Sequence, residues 1–211
     1  MKSRERRGMS STAVSLVAAL VLIIIAATSC GHSAPDPHAG HSESGTATSG
    51  TPAPHNAADV AFARNMIPHH QQGVELAAMV PDRSTNHDLR VIAAHIGADQ
   101  QAEIATLNQL LAQWHEDAHP AGGGHADHEA MPMMTGMVDQ GALEHLKSLD
   151  GAAFDTLWAR SMIGHHQGAV SMAQDEIAHG QSADAIHVAT LIVEAQQREI
   201  STMTHLISAS E

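Results

Sequence analysis

One segment of sixteen residues occurs twice in this 211-residue chain, and this duplication constrains the fold more than any other feature. The segment at 62–77 returns at 158–173, and the same offset of 96 positions relates residues 100–106 to residues 196–202. One offset kept over about fifty residues indicates two copies of one structural unit. The residues shared by the copies include Met66, Ile67, His69, His70, Gln71, Val74 and Ala77 in the first and Met162, Ile163, His165, His166, Gln167, Val170 and Ala173 in the second.

Both copies have the spacing of apolar residues that is typical of amphipathic helices. Asp59 is placed at the N-cap or in the first turn of the first helix, which is expected to end before Pro81. The periodicity predicts helices over residues 59–80 and 88–114 in the first copy, and over 153–179 and 183–208 in the second. Only 2% of the residues are aromatic, which favours closely packed helices over sheets. Two such hairpins bury their apolar faces best against each other, so the prediction is an all-α, ferritin-like four-helix bundle.

Polar side chains fall on the faces of these helices that should be buried. His70 lies on the apolar stripe of the first helix, and His69 lies on its flank. Asp99 and Glu103 fall within the stripe of the second helix, and Glu199 falls within the stripe of the fourth. A carboxylate on a buried face is costly unless it is paired or bound to a metal. The sequence therefore predicts a polar or metal-binding group inside the bundle.

The N-terminal part of the chain has the features of an exported, membrane-anchored protein. Residues 1–29 combine a basic start with an apolar run and predict a signal peptide. Cys30 is the only Cys and stands where a bacterial lipoprotein is cleaved and lipidated; ordinary cleavage nearby and an uncleaved anchor are the alternatives. Residues 30–57 are rich in small residues, Pro and His, and predict a disordered tether. A lipid on Cys30 would hold the following domain on a membrane surface, outside the cytoplasm.

The bundle domain, predicted over residues 58–208, contains a connection dense in imidazole and thioether groups. This connection spans 115–142, and a short helix is expected at 143–149, before the second copy. Its side chains are candidate ligands for a soft metal ion. The candidates are His125, His128, Met131, Met133, Met134 and Met137.

Imidazole and thioether groups on one helix are a combination that suits copper. Neutral His binds Cu(II) and Cu(I), whereas the Met sulfur prefers Cu(I). A Met placed three and four residues before a His pair can reach the same ion from one helix. Glu103 and Glu199 are predicted either to coordinate as well, to orient the imidazoles, or to pair with an Arg or a His. The predicted metal ligands are Met66, His69, His70, Met162, His165 and His166.

Two other interpretations of the same residues remain open. The His pairs could form a hydrogen-bonded network in the core of a structural or partner-binding bundle. A di-metal oxidase shares the bundle, but it requires Glu-x-x-His on two helices, and Glu103 and Glu199 are each followed by Thr at that spacing. No complete catalytic motif is present, so an enzyme is not predicted. The net charge of −13 repels phosphate backbones and makes nucleic acid an unsuitable partner.

Several of these motifs together resemble the domain-of-unknown-function family 305. They are Phe-Ala-Arg-x-Met-Ile-Pro-His-His-Gln-Gln at 62–72, Met-Pro-x-Met at 131–134, Phe-Asp-x-Leu-Trp at 154–158 and the second Met-Ile-x-His-His at 162–166. The resemblance extends over residues 55–208. It implies a ferritin-like four-helix fold, export from the cytoplasm and, in some members, copper binding or copper tolerance, and it points to the same six Met and His residues. We therefore expect an extracytoplasmic protein that buffers or transfers copper, with another divalent transition metal as an alternative.

Overall fold

The computed structural model describes residues 53–118 and 134–208, and within these ranges the regular elements are all helices. The five helices are α1 (Ala57–Arg83), α2 (His87–Gln113), α3 (Gln140–Ser148), α4 (Gly151–His179) and α5 (Ala183–Ser208). The all-α class and the four long helices predicted from the sequence are confirmed. In these two ranges, no helix combines the length and the apolar composition needed to cross a membrane. The predicted signal peptide, Cys30 and the tether up to residue 52 lie outside the described residues.

The start of α1 is set by a capping box, and its end differs from the prediction. The Asn56 side chain accepts hydrogen bonds from N–H groups of the first turn, and Asp59 accepts one from the Asn56 N–H. Asn56 is therefore the N-cap, and Asp59 lies in the first turn. The predicted end before Pro81 is wrong, because α1 continues to Arg83. Pro81 removes one helical hydrogen bond, but this last part of the helix buries Val80 completely in the core, which offsets the loss.

The four long helices form two hairpins that are related by an approximate twofold axis. α1 pairs with α2 and α4 pairs with α5, and the hairpins pack with α1 against α4 and α2 against α5. His69 and His165, which are equivalent in the two copies, meet where α1 contacts α4, with ring centres 3.9 Å apart. The axis therefore passes between these two rings, and it makes α1 and α4 antiparallel.

The core consists of two apolar clusters with polar side chains between them. The first cluster includes Met66 and Leu107, and the second includes Met162 and Met203. On each long helix, polar residues separate the part that enters one cluster from the part that enters the other. We call this set the polar layer, and it consists of His69, His70, Gln100, Glu103, His165, His166, Gln196 and Glu199.

A turn from the connection between the hairpins packs across the contact of α1 with α4. We call residues 134–138 the docked turn. Gln72 holds it from α1, since its amide donates to the Val138 carbonyl oxygen at 2.9 Å and accepts from the Val138 N–H at 2.8 Å. On α4, the turn lies against Gly168, where a Cβ atom would overlap the Thr135 carbonyl oxygen. Gln72 thus binds the docked turn from α1, and the lack of a side chain at Gly168 leaves room for the turn on α4.

A buried pair of carboxyl groups joins the start of α1 to the turn between α4 and α5. Asp59 is fully buried and accepts hydrogen bonds from the N–H groups of Gln181 at 3.0 Å and Ser182 at 2.9 Å. Glu176, which is 2% exposed, faces Asp59, and its two carboxyl oxygens are buried without another hydrogen-bond partner. Burial and the contact with Asp59 raise the pKa of Glu176 to about 8. Burial alone would raise the pKa of Asp59, but hydrogen bonds from Glu176 and from backbone N–H groups outweigh it and lower that pKa.

Candidate metal centre

Two of the four buried imidazoles in the polar layer are held by carboxylates of the neighbouring helix. The Nε2–H of His70 donates to Glu103 Oε2 at 2.9 Å, and the Nε2–H of His166 donates to Glu199 Oε2 at 2.8 Å. Both imidazoles are fully buried, while the Glu103 and Glu199 side chains are 19% and 16% exposed. A carboxylate on one ring nitrogen fixes the orientation of the ring and makes the other nitrogen a better metal ligand.

The other two imidazoles, His69 and His165, lie on either side of the approximate twofold axis. The Nε2–H of His165 donates to the His69 carbonyl oxygen at 3.0 Å, and the Nε2–H of His69 donates to the Thr135 carbonyl oxygen of the docked turn at 3.3 Å. Burial and the neighbouring imidazoles lower the pKa of His69 to about 3 and that of His165 to about 2. Both rings are therefore neutral at physiological pH. Because a carbonyl oxygen can only accept, the proton of each ring is on Nε2.

All four imidazoles have the same nitrogen atom without a partner. The Nδ1 atom of His69, His70, His165 and His166 is buried and makes no hydrogen bond. One such unsatisfied group costs roughly 1–3 kcal/mol, and several in one layer of a native core require an explanation. In the neutral ring with its proton on Nε2, Nδ1 carries the lone pair through which His binds a metal. The donor set therefore fits a transition metal ion.

The four imidazoles do not form a ready-made metal site in their present orientations. Within the two described ranges, no three His, Asp or Glu side chains stand close enough together to hold one metal as they are. The rings of His69 and His165 are tilted by 33° to each other. The outer rings, those of His70 and His166, are tilted by 52° and 53° to the rings of their sequence neighbours. Rotation of an imidazole about its side-chain torsions breaks no helical hydrogen bond, but a ring that turns gives up its Nε2 hydrogen bond.

The structure separates the two motif methionines from each other. Met66 packs in the first apolar cluster and Met162 packs in the second, and both are fully buried. Each lies one helical turn before the outer His of its own copy, His70 or His166. Because α1 and α4 run in opposite directions, the two sulfur atoms border opposite sides of the polar layer rather than one common point.

The candidate ligands of the connection are divided between described and undescribed residues. Met134 and Met137 belong to the docked turn, where the Met137 N–H donates to the Met134 carbonyl oxygen at 3.1 Å, and both side chains are partly buried. Met134 also lines a cavity of about 890 Å³ beside Arg64 and Glu116. The remaining candidates lie outside the described residues: His125, His128, Met131 and Met133.

Two glutamines belong to the polar layer although no prediction named them. Gln100 and Gln196 are equivalent in the two copies, and each is 1% exposed. Both amide atoms of each side chain are buried without a hydrogen-bond partner. Their recurrence at the offset of 96 was visible in the sequence, and each stands one helical turn before Glu103 or Glu199 on the buried face.

The expectation that Asp99 lies within the apolar stripe is wrong. Asp99 is exposed and, with Glu199, lines a groove of about 700 Å³ between α2 and α5. Successive helical positions differ by about 100°, so the burial of Gln100 turns Asp99 towards solvent. Partial desolvation and the nearby charges of Glu199 and Glu103 raise the pKa of Asp99.

Comparisons with known proteins agree with this architecture. The family model "Domain of unknown function (DUF305)" matches residues 59–207, and no curated protein matches the sequence. A DUF305 protein from Streptomyces coelicolor, assigned to the secreted proteins, is 29% identical with a TM-score of 0.65, covering 72% of this chain and 93% of that one. A DUF305 fragment from Deinococcus radiodurans is 27% identical with a TM-score of 0.65, covering 74% and 99%. CopM in its Cu(II)-bound form is 29% identical with a TM-score of 0.62, covering 72% and 97%, and its Cu(I)-bound form is 26% identical with a TM-score of 0.58.

Proposed function

Because the chain belongs to the DUF305 family, we propose that it is an extracytoplasmic protein that binds copper in its polar layer and buffers the metal or passes it on. CopM, a structural relative, has been crystallised with Cu(II) and with Cu(I). The relative from Streptomyces coelicolor is assigned to the secreted proteins. These relatives support a metal-related role and a location outside the cytoplasm.

The observation that carries the proposal is the set of four buried Nδ1 atoms without partners. They supply imidazole ligands from both copies of the repeat, and imidazole accepts Cu(II) as well as Cu(I). Met66 and Met162 border the layer and would add thioether ligands for Cu(I). Glu103 and Glu199 act through His70 and His166, since each carboxylate already accepts the Nε2–H of its imidazole.

The two carboxylates also bring negative charge close to the imidazoles. Glu103 and Glu199 retain partial exposure, and the groove between α2 and α5 reaches Glu199 from solvent. Their negative charges offset the charge of a bound cation in a partly desolvated layer, where Coulomb interactions are stronger than in water. The groove gives a cation a route from solvent to Glu199, the carboxylate that holds His166.

A structural bundle with a polar core is the second candidate, and the Nε2 hydrogen bonds favour it. Each imidazole has one well-defined partner, as expected of a network that specifies the packing of a core. Such a network, however, is costly when only partly satisfied, and here every Nδ1 atom remains unpaired. A di-metal oxidase is the weakest candidate, because the two carboxylates of the polar layer are both engaged by imidazoles.

The double change His70→Ala with His166→Ala tests the proposal. We expect it to abolish tight copper binding in a titration against a competing chelator, while the bundle stays folded because the apolar clusters supply most of the folding free energy. His145→Ala with His187→Ala, at two exposed positions, is the matched control and should leave the affinity unchanged. A structural network would give the reverse result, with unchanged copper uptake and a stability loss of about 2–5 kcal/mol.

The proposed function also includes attachment to a membrane surface. We propose that Cys30 is the first residue of the mature chain and carries lipid, which would place the copper-binding bundle on a membrane surface. The net charge of −13 also suits a protein that attracts cations.

A further inference from the structure

The two buried glutamines of the polar layer have no role in the site described so far. We propose that Gln100 and Gln196 determine the specificity of that site, and that their amide oxygens, directly or through a water molecule, favour a divalent ion over a monovalent one. This inference rests on the proposed function, because it concerns which ion the polar layer accepts.

Burial without a partner is the first observation behind this inference. Gln100 and Gln196 are 1% exposed, and the Oε1 and Nε2 atoms of both are unpaired. A buried amide that lacks hydrogen bonds destabilises the folded chain. A buried Gln with unpaired amide atoms occurs at equivalent positions of both copies. A bound ion with its water ligands supplies the polar partners that these amides lack.

The position of the amides is the second observation. The Gln100 amide fills the space beside Gly73, where a Cβ atom would overlap Oε1. Gly73 lies one turn after His70 on α1, and Gln100 lies one turn before Glu103 on α2, so the amide borders the hydrogen-bonded pair of His70 and Glu103. In the second copy Ala169 stands at the position of Gly73, and Gln196 precedes Glu199 by the same three residues.

The chemistry of the donor atoms decides which ion is favoured. Only nitrogen and oxygen donors occur in the polar layer, while the sulfur atoms of Met66 and Met162 lie in the apolar clusters on its two sides. Nitrogen with oxygen ligands in a tetragonal arrangement is typical of Cu(II), whereas soft sulfur ligands select Cu(I). Removing the amide oxygens should therefore weaken Cu(II) binding and leave binding of a soft monovalent ion unchanged.

The decisive variant is Gln100→Leu with Gln196→Leu. Leu is close in size to Gln and removes two unsatisfied amides from the core, so the bundle should remain folded. Affinities for Cu(II) and for Ag(I), which stands in for Cu(I) without redox chemistry, are measured on the full chain by competition titration. The electron paramagnetic resonance spectrum of the Cu(II) form is recorded as an independent readout of the ligand set. Gln101→Leu with Gln197→Leu, the exposed neighbours in both copies, is the matched control.

We expect the Gln100/Gln196 variant to lose about 10–100-fold in Cu(II) affinity with an altered spectrum, and to keep its Ag(I) affinity. Gln196→Leu alone should give an intermediate loss, so the outcome does not depend on the folding of the double variant. Unchanged Cu(II) affinity and spectrum, or equal losses for both ions, would overturn the inference. If the His70/His166 variant keeps wild-type affinity, the proposed function itself fails; if it loses affinity and the glutamine variants do not, only the inference fails.

Discussion

Glu176→Gln should remove a loss of folding stability at high pH that arises where α1 meets the turn between α4 and α5. The pKa of Glu176 is raised from 4.5 to about 8 because the group is buried and faces Asp59. A group with a raised folded-state pKa contributes stability that is fully present below its unfolded pKa and is lost as the pH rises through its folded pKa. The difference between these two pKa values corresponds to about 5 kcal/mol in total.

Most of this loss falls between pH 5.5 and pH 9. At pH 5.5 the carboxyl group of the unfolded chain is already largely ionised, so part of the loss has occurred, and about 3 kcal/mol remains to be lost by pH 9. Gln cannot ionise, and its amide can still donate a hydrogen bond to Asp59. The stability of the variant relative to the wild type should therefore increase by about 3 kcal/mol over this range.

Urea unfolding followed by circular dichroism at pH 5.5, 7 and 9 measures this difference. Titrations elsewhere in the chain cancel, because the variant and the wild type share them. Glu194→Gln, the same change at an exposed position of α5, is the control and should show a constant difference. A difference between Glu176→Gln and the wild type that stays constant within about 0.5 kcal/mol would refute the raised pKa of Glu176.

Three further predictions concern the site, the docked turn and the anchor. Glu103→Gln with Glu199→Gln should lower copper affinity about 10–100-fold in a competition titration and leave the protein folded, because the imidazoles lose their charged partners; an unchanged affinity would show that the carboxylates do not act on the metal. Gly168→Ala should lower the unfolding free energy by about 1–3 kcal/mol, because the added Cβ atom overlaps the docked turn. Gly164→Ala, where a Cβ atom meets nothing within 4 Å, is the control and should be neutral or stabilising. Equal melting temperatures for both variants would contradict the packing of the turn. The intact mass of membrane-extracted protein should correspond to a lipidated chain that begins at Cys30, and a mature chain that begins elsewhere would exclude this anchor.

The fold could be predicted because its determinants repeat along the chain. The offset of 96 positions and the apolar stripes identified both hairpins, and the predicted bounds 183–208 agree with α5. The ends of α1 could not be predicted as well, because they depend on contacts rather than on propensity. Asn56 caps the helix through bonds to its first turn, and Val80 holds the last turn in the core despite Pro81.

The site could be predicted only in part, because periodicity identifies the buried face of a helix but not the direction of its neighbour. The burial of His70 followed from its stripe, and His69 on the flank is buried as well. The antiparallel packing of α1 and α4 was not visible in the sequence. It places Met66 and Met162 on opposite sides of the polar layer, although each stands next to a His pair along its own helix.

The docked turn has a consequence for how the two halves of the chain could have diverged. Gln72 and Gly168 occupy equivalent positions in the two copies, yet one grips the turn and the other makes room for it. A single peptide segment placed across a twofold axis cannot present the same surface to both sides, so two identical halves could not both bind it well. A Gln at 168 would block the Thr135 carbonyl, and a Gly at 72 would release Val138. The halves are thus no longer interchangeable. If their order along the chain were exchanged, the Gln that now binds the turn would stand at the position of Gly168, where its side chain would block the turn.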